Sequence, residues 1–136
     1  MKKFLVVLLG IVLAVSSLAG VSTDEVYKIK LKHSNFKNVE VLNSGRNIVI
    51  HLSVNAKATE DGKVPAFVLE DSKQIFSYFK KNHKASEYDV IDIMFYKGSY
   101  QFANANVWSD TLKNINVQKL NLSNAENKLD VWECKW

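Results

Sequence analysis

The stretch 66–82, AFVLEDSKQIFSYFKKN, and the stretch 90–96, VIDIMFY, decide the fold between them. In the first, Val68, Ser72, Ile75, Phe76 and Phe79 recur at three- and four-residue steps, which puts them on one stripe of an α-helix. Glu70 and Asp71 toward its start, and Lys80 and Lys81 toward its end, match the direction of the helix dipole. In the second, Ile91, Ile93 and Phe95 alternate with Val90, Met94 and Tyr96. Both faces are apolar enough for a strand in the middle of a sheet with something covering each side.

Upstream, 39–42 and 48–54 are rich in β-branched residues, and Asn43-Ser44-Gly45-Arg46-Asn47 between them suits a tight turn, so a hairpin is expected. The polar run 55–65 holds the only proline and reads as the loop that leaves the sheet. Further back, Tyr27, Ile29 and Leu31 alternate with Lys28, Lys30 and Lys32, the period of a first strand whose lysines form a solvated, protective edge. Downstream, Lys97-Gly98-Ser99 reads as a hairpin turn into a partner strand at 100–108. Ser109-Asp110-Thr111 then marks a short helical turn or loop, and 117–122 and 129–136 read as two final strands. Between those two, Ser123 and Glu126 have capping-box spacing inside an Asn-rich turn. Three strands, a helix and four strands make an α+β domain: a mainly antiparallel sheet with one principal amphipathic helix packed on a face. The second apolar face then calls for a curled sheet or another subunit.

At the front of the chain, Met1-Lys2-Lys3 precede an apolar run from Phe4 to Val15 and the small-residue segment Ser16-Ser17-Leu18-Ala19-Gly20. Charge, then grease, then small residues is the order of an export signal, with Ser17 and Ala19 sized for the peptidase pockets and cleavage expected after Ala19. The division expected is 1–19 signal peptide, 20–25 linker and 26–136 one domain, and the product is secreted or displayed at a bacterial-type cell surface. The alternative is an uncut N-terminal membrane anchor, since 4–21 reaches the lower limit of a spanning helix. Val21 stands where a lipoprotein signal would need cysteine.

The 136 residues carry a formal charge of +4, but without Lys2 and Lys3 the balance is 16 basic against 14 acidic. Such a margin argues against a nucleic-acid partner, which needs a concentrated cationic face. One cysteine, Cys134, permits no internal disulfide, so burial alone must hold the domain.

Phosphate-binding glycine loops, nucleophile elbows and paired-cysteine or His-Glu-x-x-His metal motifs are missing, so no cofactor or metal is expected and a non-enzymatic reading leads. Two constellations remain. Tyr100, Trp108, Trp132 and Trp136 are amphipathic rings suited to stacking on a sugar or a partner's apolar groups, or else to filling the core. His83, Glu87, Asp89 and Asp92 are the densest acid, base and ligand cluster, with Asp92 interrupting an apolar face where burial would perturb a carboxylate. His33 and His51 fall on expected neighbouring strands, but two histidines do not make a zinc site. Asn121-Leu122-Ser123 fits a glycosylation pattern that means little in a bacterium. The leading expectation is an exported binding domain for a protein or carbohydrate at the cell surface. The alternatives are a small secreted hydrolase or metal-dependent enzyme built on the acid cluster, and an assembly protein that forms a homodimer through its apolar sheet face.

Overall fold

The computed structural model describes residues 20–55, 57 and 62–136. The expected signal segment and its cut after Ala19 lie outside the described residues. Helix α1 spans Thr23–Tyr27, strand β1 Ser34–Leu42, β2 Asn47–Val54, helix α2 Val64–Asn82, β3 Val90–Lys97, β4 Tyr100–Trp108, helix α3 Ser109–Asn114, helix α4 Ala125–Lys128 and β5 Val131–Cys134. Among the described residues the five strands form one sheet in the order β1-β2-β3-β4-β5. All neighbouring pairs are antiparallel except β2 and β3, which run parallel because α2 carries the chain back between them. The architecture is α+β.

Alternation along the strands separates two faces. Ile48, Ile50 and Leu52 on β2, Ile91, Ile93 and Phe95 on β3, and Ala105 and Val107 on β4 are fully buried against Val68, Ile75, Phe76 and Phe79 of α2. Burying each of the larger side chains contributes about 1.5–3 kcal/mol, which is how the domain holds without a disulfide. The residues between them, Val49, His51, Asp92, Met94, Tyr96, Asn104 and Asn106, are only half-buried. This second face is a polar and apolar mixture, not the covered apolar face that the sequence of β3 suggests, because the neighbours of Met94 and Tyr96 across the sheet are His51, Ser53, Asn104 and Gln101.

Several stretches differ from the sequence expectation. Residues 27–32 are not a strand: Ser22 and Glu25 form a reciprocal capping box that starts α1 instead, and Val26 drops into the core. The stretch 20–25, expected as a linker, places Val21 in the core as well. Residues 117–122 are not a strand either, because Val117 and Leu120 are buried three residues apart on a 3-10 turn at Val117–Lys119. The last strand is shorter, confined to Val131–Cys134. At Ser123 the backbone is held by Asn121 Oδ1, which accepts from Ser123 and Asn124, so the Asn-rich turn prevails over the capping box.

Helix α2 begins earlier than its apolar stripe, at Val64, with Pro65 setting its first turn. Glu70 and Asp71 therefore lie beyond the first turn, where the dipole no longer acts on them appreciably. They serve the loop before β1: the buried Asp71 carboxylate accepts from the backbone N–H of Lys32 at 3.0 Å and of His33 at 3.2 Å, and Glu70 meets the His33 ring at 2.6 Å.

Candidate functional site

The expected acid cluster does not assemble as one group. His83 and Glu87 meet, Nδ1 to Oε2 at 2.5 Å, across the step from α2 into the 3-10 turn Ala85–Glu87. Asp89 turns the other way to Arg46, whose Nε and Nη2 donate to its Oδ1 at 3.0 and 2.7 Å, and this pair holds the Asp89 carboxyl below the usual range. Asp92 lies on the open face, where Asn104 Nδ2 donates to it at 2.6 Å. His33 and His51 are on opposite sides of the sheet: the first stacks on Phe67, the second contacts the Tyr96 hydroxyl at 2.8 Å. Among the described residues no group of three or more His, Cys, Asp or Glu is placed to hold a metal ion.

The partner that the sequence did not reveal is Glu25. Its Oε1 contacts His83 Nε2 and accepts from the Tyr78 hydroxyl at 2.9 Å. The ring of His83 is thus gripped by a carboxylate at each nitrogen, and in its imidazolium form it donates to both. Burial pushes the Glu25 carboxyl up, but the Ser22 N–H, the His83 ring and the Tyr78 hydroxyl together hold it below its ordinary value. Tyr78 is pushed up to about 12 by burial and by its bond to Glu25. This knot ties α1 to the end of α2, so its chemistry is spent on structure.

The four rings fall in three places. Trp132 is half-buried against the core, opposite Ala105. Trp108 is 53% exposed at the far end of β4, where its backbone N–H donates to Asp130 Oδ2 at 2.7 Å and so fastens the start of α3 to the approach of β5. Tyr100, 59% exposed, and Trp136, 42% exposed, lie toward the β3–β4 turn. There Trp136 packs edge-on to Phe102 at 4.8 Å, and the Lys97 ammonium sits 4.9 Å over the Trp136 ring. A bulge between Phe95 and Tyr96 sets this geometry: Phe102 and Ala103 are both buried, and Trp136 covers the edge of Phe102.

Two adjoining clefts open beside the end of α2. One, of about 460 Å³, runs between Lys80, Lys84, Ser86, Tyr88, Ser109 and Lys113. The other, of about 570 Å³, continues past Lys81, Asn114, Asn116 and Gln118. Compared with protein-family models, curated proteins and solved structures, the chain finds no match in any of the three.

Proposed function

We propose that the chain is an exported binding domain that engages a partner at the cell surface through the ring-bearing end of the β3–β4 hairpin, with Tyr100 and Trp136 as the contact residues. The observation that carries this reading is the exposure of these two rings at one end of the sheet, in a domain whose phenylalanines Phe76, Phe79, Phe95 and Phe102 are fully buried. Large amphipathic rings held in place on a strand turn and against a core phenylalanine lose little conformational freedom on contact, which favours them as anchors. Lys97, fixed over Trp136, adds a charge at the rim. Trp108, at the opposite end of β4, is a separate exposed ring, and Trp132 belongs to the core.

The test is site-specific photo-crosslinking in the cells that make the protein. A photoreactive phenylalanine analogue at position 100 or 136 gives a discrete adduct in the envelope or medium fraction, and the same group at Leu122, an exposed apolar residue elsewhere, gives none. Equal labelling at all three positions, or recovery of the chain only from the cytosol, would overturn the reading.

A further inference from the structure

The two clefts at the end of α2 combine three features that the ring-mediated reading does not use. First, four exposed ammonium groups gather there: Lys80 and Lys113 are shared by both linings, Lys84 flanks the first and Lys81 the second. No Asp or Glu lines either cleft. Second, among the described residues no ion pair neutralises these lysines, and two carboxylates close by, Glu25 and Glu87, are held on His83 of the first lining. Every ion pair among the described residues joins a carboxylate to a histidine or to Arg46, and none involves a lysine. Third, the wall holds donors. Ser86 and Ser109 stand beside Tyr88, which is only 2% exposed. The Tyr88 hydroxyl has no hydrogen bond among the described residues and is pushed up to about 12 by burial and the nearby Glu87 charge, so it carries its proton and can donate.

The carbonyl end of α2 opposes an anion here with about half a unit of negative charge. The His83 N–H bond to the Phe79 carbonyl at 2.9 Å is the last of the helix itself and leaves that opposition in place. Four full positive charges outweigh it. We propose that this groove binds a soluble ligand bearing two or more phosphoryl groups. Lysines are point charges that suit phosphoryl oxygens, and the one arginine of the chain, Arg46, is bound to Asp89 and takes no part. The cleft volumes fall in the range of small-molecule sites, and the shared Lys80 and Lys113 place charge at the junction, where a second phosphoryl group would continue from the first. Lys80 is partly committed, its ammonium donating to the Ile115 carbonyl, which fixes one wall.

The experiment is an NMR titration of the ¹⁵N-labelled chain with tripolyphosphate, inorganic phosphate and phosphatidylglycerol vesicles. Saturable shifts with tripolyphosphate, confined to residues 80–88 and 109–118 and tighter than with inorganic phosphate, are expected. The pair Lys84→Gln and Lys113→Gln should weaken tripolyphosphate binding by about tenfold or more, while Lys84→Arg with Lys113→Arg keeps it. Lys119→Gln with Lys128→Gln removes the same charge outside the groove and should change it by less than about twofold. Absence of saturation, equal weakening by the outer pair, or binding to vesicles alone would overturn the proposal. Tyr100→Ala with Trp136→Ala should leave the titration unchanged, so failure here is distinguishable from failure of the ring-mediated reading.

Discussion

His83 illustrates how much of a site depends on residues far apart in the chain. Its pairing with Glu87 was legible because four residues separate them, but Glu25 lies 58 positions away and only the fold brings it in. Asp92 misled for the opposite reason: its neighbours along the strand are apolar, whereas its neighbours across the sheet are Val49 and Asn106, with Asn104 donating to it. The lowered Glu25 pKa has a definite sign in stability. Its contribution is fully present above the unfolded value of 4.5 and is lost as pH falls through the lower folded value. Glu25→Gln should therefore cost about 1 kcal/mol at neutral pH after solvent screening, and the gap to the parent, read from urea midpoints, should close on acidification. Asp71 behaves inversely. Burial raises its carboxyl, so its effect on stability is most favourable below 3.8 and declines as pH rises through the folded value. Asp71→Asn should remove that decline, so the variant's stability relative to the parent improves from pH 3.8 upward even though it loses a charged acceptor for the Lys32 and His33 N–H groups. Cys134 is half-buried, and burial pushes its thiol up, which leaves less thiolate at neutral pH. A disulfide exchange reagent should react with it more slowly in the folded chain than in denaturant; equal rates would contradict the burial.

Among the elements, those with an unambiguous period were readable: the stripe of α2, the β-branched runs of β1 and β2, and the β3–β4 hairpin. Where two periods competed, the shorter-range interaction decided. Tyr27, Ile29 and Leu31 have strand alternation, yet the Ser22–Glu25 box satisfies backbone donors at once and turns the chain into α1. Val117 and Leu120 would fall on opposite faces of a strand, and the burial of both, three residues apart, is met by a 3-10 turn instead. The groove lysines were visible singly, Lys80 and Lys81 as dipole partners, but Lys113 joins them from α3, some thirty residues later. Ser22→Ala should cost about 1 kcal/mol, seen as faster amide exchange at Glu25 and Val26 without change in α2. If α1 were held by packing alone, exchange would be unaffected.

The sheet joins one parallel pair, β2 with β3, to antiparallel neighbours on either side, and α2 is the crossover that makes this necessary. The hydrophobic interior therefore depends on contacts between β2 and β3 across the length of α2, and loss of the helix face should affect the whole domain. Phe76→Ala is expected to destabilise it by about 3–5 kcal/mol with a single unfolding transition; two separable transitions by circular dichroism and tryptophan fluorescence would show that the halves are independent. The first described residues join the same unit. Gly20 adopts φ +109, and a Cβ placed there would stand 3.0 Å from the Gly45 carbonyl oxygen, while Val21 is 5% exposed. The cut expected between 19 and 20 therefore falls one residue before a core side chain. On that expectation the cut would have to precede folding, because the folded domain holds Gly20 against Gly45 and Val21 in the core.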